Sequence, residues 1–128
     1  MKLLLDTHAF IWWLGGRPRL SHKARERIDD RRNSVFVSAV VAWEMATKVR
    51  LGKLPDPERI ADDIERYIAA CGFEQLGVTV TQARVAGALP GLHRDPFDRI
   101  LIAQARLEDM AVVSIDPVFA AYAVLVVW

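Results

Sequence analysis

Lys2-Leu3-Leu4-Leu5-Asp6-Thr7-His8 opens the chain with three consecutive leucines and then an acid. An apolar run this short, with no polar alternation, marks a strand covered on both faces. Val35-Phe36-Val37 has the same character, and so does Ala111-Val112-Val113-Ser114-Ile115, which Asp116 ends. Residues 73–78 form a weaker strand candidate and 124–127 a last one. The spacing between these runs is helical. A short helix is expected over 9–14, stopped by Gly15-Gly16 and Pro18. A second runs from the N-cap Ser21 to about residue 30, with Asn33 ending it, and a third from the cap Ser38 to about residue 51, where Gly52 supplies the C-terminal glycine. Pro55 and Pro57 open a further helix, with Ile60, Ile64, Tyr67, Ile68 and Cys71 on one face. Thr79 or Thr81 caps a helix to about residue 88, residues 89–95 form a loop, Asp95-Pro96 starts a helix to about 109, and 117–121 make one helical turn. Buried strands alternating with helices give an α/β fold, a parallel sheet with helices on both faces.

In such a sheet, functional groups gather beyond the carboxyl ends of the strands. Asp6 and Asp116 each end a strand, and Asp98 opens a helix that can point to the same edge. Glu44 sits within the apolar helical segment Val40-Val41-Ala42-Trp43-Glu44-Met45-Ala46. Charges beside so much apolar surface are costly unless compensated, and a divalent cation shared among the four acids would compensate them. Each acid also has a structural role open to it. Asp6 can cap the helix after the first strand, and Asp95-Pro96-Phe97-Asp98 has the form of a helix start with Asp95 as cap. Asp116-Pro117 repeats that pattern. Glu44 can pair with Lys48 four residues on, for a few tenths of a kcal/mol.

The 128 residues are expected to form one domain, 1–128, with one substantial core. A single cysteine, Cys71, excludes an internal disulfide framework, fits a reducing compartment, and reads as a small buried side chain. Asp6 interrupts the N-terminal apolar run, and residues 10–14 are too few to span a bilayer, so a cytoplasmic chain without a membrane segment is expected. Net charge is near zero, yet residues 17–53 hold ten Lys/Arg against four Asp/Glu, and residues 54–128 hold six against eleven. A basic half beside an acidic constellation suits a polyanion brought to a metal site. The other account is that Arg25, Arg27, Arg31 and Arg32 are the solvated face of a helix.

Competing chemistries find less support. No two of His8, His22 and His93 stand at zinc-ligand spacing. There is no glycine-rich phosphate loop and no Gly-x-Ser-x-Gly elbow. His8 either orients Asp6 or has a local partner at the helix start. Asp-Thr-His lacks the second aspartate of a phosphoaspartate hydrolase, and a receiver-like signalling domain would need an early acid pair and a phosphoacceptor after the third strand. Phe10, Trp12, Trp13 and Leu14 form an aromatic patch suited to core packing or a protein interface, since nothing basic is interleaved for base stacking.

The chain resembles the PIN-domain family and, within it, the VapC-type toxins of bacterial toxin–antitoxin pairs. The resemblance rests on Leu3-Leu4-Leu5-Asp6-Thr7-His8, on Ser38-Ala39-Val40-Val41-Ala42-Trp43-Glu44-Met45-Ala46-Thr47-Lys48 and Gly52-Lys53-Leu54, on residues 93–105 around Asp95-Pro96-Phe97-Asp98-Arg99, and on Ser114-Ile115-Asp116. It implies a parallel sheet of four or five strands flanked by helices, and RNA cleavage dependent on magnesium or manganese. The family's acids carry over as Asp6, Glu44, Asp98 and Asp116, the last being the position that varies. Thr7 and Ser114 match polar positions beside the acids and are expected to hold an ion's water, whereas Asp95 is assigned to capping. Magnesium keeps several waters and takes one or two carboxylates directly, so these acids can serve one or two ions. Such ions would neutralise the scissile phosphate and promote in-line attack, leaving a 5′-phosphate and a 3′-hydroxyl. Arg99, Lys48, Arg50 and Lys53 are candidates for gripping RNA. The resemblance further implies a homodimer and a VapB-type antitoxin, with the patch 10–14 and the helices around Ala46 and Ile60 forming part of its groove. The alternative is a catalytically silent PIN module that binds RNA or a protein; the presence of all four acids counts against it.

Overall fold

The computed structural model describes residues 1–16, 18–91 and 94–128. Arg17, in the basic stretch, and Leu92 and His93, in the 89–95 loop, lie outside them. Five parallel strands form one sheet in the order β3-β2-β1-β4-β5: β1 (Lys2–Leu5), β2 (Ser34–Ser38), β3 (Glu74–Leu76), β4 (Ala111–Val113) and β5 (Val126–Val127). The leucines of β1 sit at its centre because helices cover both faces there. Leu3, Leu4 and Leu5 are fully buried, paired in register with Val35, Phe36 and Val37 of β2 on one side and with Ala111, Val112 and Val113 of β4 on the other. β3 is an edge strand with two exposed residues, which is why its composition signals it weakly.

Among the described residues, seven helices accompany the strands: α1 (Thr7–Leu14), α2 (His22–Asp29), α3 (Ala39–Arg50), α4 (Ile64–Ala70), α5 (Val80–Ala88), α6 (Pro96–Leu107) and α7 (Val118–Ala121). Their starts follow capping chemistry. Ser21, Ser38, Thr79 and Asp95 each accept a first-turn N–H, and Thr79 does so in a full capping box with Gln82. Gly52 ends α3 with φ +72°, a conformation that favours glycine. Phe10, Phe119, Leu101 and Ile102 are fully buried in the core, each contributing about 1.5–3 kcal/mol by removal from water.

The helix expected from Pro55 onward is instead a loop, a 3₁₀ turn (Ile60–Asp63) and then α4. Arg59 is left-handed (φ 55°), and the Asp56 carboxylate accepts from the N–H groups of Ile60 and Ala61 (2.8 and 2.9 Å), so Asp56, rather than a proline, starts the turn. Asp63 then departs from helical geometry (φ −147°, ψ 44°), and α4 begins afresh. Ile64 and Ile68 still reach the core. None of the helices described is long and apolar enough to cross a membrane.

Candidate metal centre

Asp6 leaves β1 at its carboxyl end, where its backbone N–H still donates to Val113 of β4 (3.2 Å). It is the N-cap of α1: Oδ1 accepts from the Ala9 N–H at 2.8 Å, and Oδ2 accepts from the Ser114 hydroxyl. The carboxylate is 7% exposed. Burial raises its pKa above the ordinary 3.8; the bonds from Ser114 and Ala9 oppose this, and the nearby charge of Glu44 adds to it.

Glu44 arrives from the second turn of α3 and is 5% exposed. Its Oε1 accepts from the Thr7 hydroxyl at 2.6 Å, and its Oε2 is ion-paired with the Lys48 ammonium one turn along the helix. Burial disfavours that ammonium, but the bond to Glu44 and the charges of Glu44, Asp95 and Asp98 outweigh it, so the Lys48 pKa lies above the usual lysine value. Asp98, half-buried, is in the first turn of α6, whose cap Asp95 accepts from the N–H groups of Phe97 (2.9 Å) and Asp98 (3.3 Å). Asp116 is exposed: its N–H donates to Ser114 Oγ (3.0 Å) and its Oδ1 accepts from Val118 (3.0 Å). Ser114 therefore joins Asp6 to Asp116.

The four acids named from the sequence line one cleft of about 330 Å³ at the carboxyl edge of the sheet, together with Asp95, Thr7, His8 and Lys48. Their structural roles hold at the same time, since Asp6 and Asp116 accept local N–H groups and Glu44 pairs with Lys48. The donors are hard carboxylate and hydroxyl oxygens, the set that suits magnesium or manganese. Among the described residues, no three acids or histidines stand close enough to hold one ion directly. An ion in this cleft would take one or two carboxylates and reach the others through water, the manner magnesium prefers.

The surroundings of the acids add geometry that the sequence does not carry. Thr7 and Ser114 donate to the acids themselves, with crossed partners: Thr7, beside Asp6, serves Glu44, and Ser114, near Asp116, serves Asp6. The sequence signal was a hydroxyl next to each strand-end acid; the crossing needs the fold. Arg99, a candidate for gripping RNA, is not among the described residues that line the cleft. Its guanidinium donates to the carbonyls of Ala86 (2.9 Å), Gly87 (3.4 Å) and Leu89 (2.6 Å), fastening the end of α5 to the start of α6. The basic stretch divides: Lys48 lines the cleft with the acids, whereas Arg31 and Arg32 lie in the turn before Ser34, at the amino end of β2. Arg32 there is paired with Asp30, whose pKa its hydrogen bonds lower to about 2.

The aromatic patch divides. Phe10 is fully buried, and Trp13 is 9% exposed against Phe73. Trp12 packs edge-on to Trp128 and beside His8. Ile11 and Leu14 line a separate apolar groove of about 140 Å³ with Met45, Leu54 and Ile60.

A family model for the PIN domain matches residues 3–125. Ribonuclease VapC16 of Mycobacterium tuberculosis (strain ATCC 25618 / H37Rv) is 42% identical over 65 residues, which are 48% of this chain and 46% of that protein. The chain thus spans about half the length of this curated relative. Among solved structures, a chain of VapBC2 from Rickettsia felis bound to a DNA fragment from their promoter superposes with a TM-score of 0.71 at 16% identity, covering 98% of this chain and 97% of that one. DNA-bound VapBC from Salmonella typhimurium gives 0.70 at 21%, covering 98% and 96%. At these identities the likeness is one of fold.

Proposed function

The chain belongs to the PIN domain family, and on that footing we propose that it is a metal-dependent endoribonuclease, the toxin of a toxin–antitoxin pair. The observation that carries this reading is the gathering of Asp6, Glu44, Asp98 and Asp116 in one cleft, with two of the four carboxylates nearly fully buried. The partial match to a VapC ribonuclease and the fold shared with VapBC structures support it. Asp6 and Glu44 would hold magnesium or manganese, with Asp98 and Asp116 at the rim, one or two ions being served. When bound, such an ion supplies charge neutralisation at the phosphate and a Lewis acid for the water that attacks it.

The chain's own residues prepare the cleft for that chemistry. Ser114 and the Ala9 N–H fix Asp6 in one orientation, and the Thr7 hydroxyl orients Glu44, so the carboxylates themselves need no reordering when a cation arrives. Asp95 ties down the first turn of α6 and with it Asp98. Arg99 anchors that same helix start. Water is the attacking group, no side chain forms a bond to phosphorus, and the bond from phosphorus to the 3′-oxygen breaks, so the products carry a 5′-phosphate and a 3′-hydroxyl. The toxin is a homodimer in this reading, and a small antitoxin lays apolar side chains into the groove lined by Ile11, Leu14, Met45, Leu54 and Ile60.

The test is RNA cleavage by the purified chain with magnesium, with EDTA, and with Asp6→Asn. Cleavage in the first condition alone, together with growth arrest on expression that Asp6→Asn abolishes, supports the proposal. Cleavage that survives EDTA, or ends bearing 2′,3′-cyclic phosphate, would reject it, and a folded chain with no cleavage under any condition would favour the silent RNA- or protein-binding module.

A further inference from the structure

The cleft already contains a positive charge. Lys48 lies one helical turn beyond Glu44, a third exposed, and its ammonium is ion-paired with Glu44 Oε2. Because the hydroxyl of Thr7 occupies Oε1, both oxygens of this carboxylate are engaged from within the chain. Lys48 lines the same cleft as Asp6, Asp98 and Asp116, and its charge is felt by Asp95 and Asp98 as well. Among the described residues lining the cleft, it is the one lysine or arginine, set against five carboxylates.

We infer that Lys48 is a resident counter-cation that competes with an incoming divalent ion for Glu44, so that the affinity of the cleft for the ion is set by this side chain as well as by the acids. The inference rests on the reading of the cleft as a divalent-cation site. A dication approaching Glu44 must do so beside the ammonium or displace it. The hydroxyl of Thr7 can stay, because it orients Oε1 without adding charge. Lysine is suited to yield: its ammonium is a point charge on a flexible four-carbon stem with three rotatable donors. Swung away from Glu44, it still has Asp95 and Asp98 within electrostatic reach. A phosphate entering the cleft would offer it a further partner. The exchange keeps Glu44 neutralised throughout, which a carboxylate 5% exposed requires.

Removing the ammonium relieves the repulsion between a single and a double positive charge a few ångströms apart, which at partly buried sites is enough to tighten binding by roughly ten-fold or more. The experiment is a titration of the purified chain with Mn²⁺ followed by electron paramagnetic resonance, comparing wild type with K48M, K48Q and K48R. K48M and K48Q should bind Mn²⁺ roughly ten-fold more tightly, and K48R, which keeps the charge, should stay at or above the wild-type Kd. Thermal melts in EDTA identify folded variants, and the two neutral substitutions give two chances of one. If Lys48 serves only to position Glu44, the neutral variants bind Mn²⁺ equally or more weakly, which would overturn the inference while leaving the metal reading intact. If no variant and no wild type binds Mn²⁺, the metal reading itself fails, and this inference with it.

Discussion

Thr7→Val isolates the hydroxyl that holds Glu44. The two side chains are of similar size, so the change removes one donor, 2.6 Å from Glu44 Oε1, in a place where both residues are buried. A hydrogen bond to a charged group contributes about 1.5–3 kcal/mol, and the carboxylate oxygen left behind has lost a donor where water reaches it poorly. The expected loss is therefore about 2 kcal/mol, a large share of the total stability of an ordinary domain. For a chain of this size that corresponds to a Tm lower by roughly 6–10 °C. The assay is thermal unfolding in EDTA, carried out as a double-mutant cycle with Glu44→Gln. Against a neutral amide the hydroxyl is bonded to a weaker acceptor, so Thr7→Val should cost about 1 kcal/mol less there. An equal loss on both backgrounds would refute the reasoning, because the penalty would then come from packing around Thr7 and not from the charge on Glu44.

Other consequences are as direct. Arg99→Ala should destabilise the fold by about 2–3 kcal/mol, through the carbonyls at the end of α5, and leave RNA binding unchanged; a stable variant with weakened RNA binding would restore Arg99 as a grip. Asp6 has a folded pKa raised by burial above its unfolded 3.8, so its contribution favours the fold below that value and is lost as pH rises through the folded pKa. Denaturant titrations in EDTA should thus show a fall in stability from about pH 4 upward that Asp6→Asn removes, and that saturating Mn²⁺ in place of EDTA reduces; parallel pH profiles for the two proteins would contradict it. Trp13→Ser should unfold or severely destabilise the chain, by about 3 kcal/mol or more, since it opens the core. Ile11→Asp and Leu14→Asp, on the rim of the apolar groove, should fold and yet fail to capture the antitoxin in a pull-down, and retained capture would move the partner elsewhere.

Much of this architecture was legible in local chemistry. β1, β2 and β4 announce themselves as unbroken apolar runs because a central parallel strand is covered on both faces. Ser21, Ser38 and Asp95 cap as their side chains dictate, and the structure chooses Thr79 over Thr81 because only there does Gln82 complete the capping box. The continuous helix from Pro55 failed for a comparable reason. The spacing of Ile60, Ile64 and Ile68 is helical, but Asp56 bonds the backbone locally and Arg59 turns left-handed, neither of which periodicity reports. For the site, the acids could be named because each stands at a junction or within an apolar helix. Their partners could not. The reach of Arg99 back to Ala86, the crossing of Thr7 and Ser114, and the placement of Arg31 and Arg32 at the far end of the sheet all depend on how distant segments meet.

The bond from Ser114 to Asp6 spans 108 positions of sequence. The strand that flanks β1 on one side, and the hydroxyl that orients its terminal acid, are translated long after it. At ordinary synthesis rates that interval is about 5–20 s. A growing polypeptide halted before Ser114 has Asp6 and Glu44 but lacks the hydroxyl that fixes the first of them, so the edge of the sheet where the acids meet is assembled late.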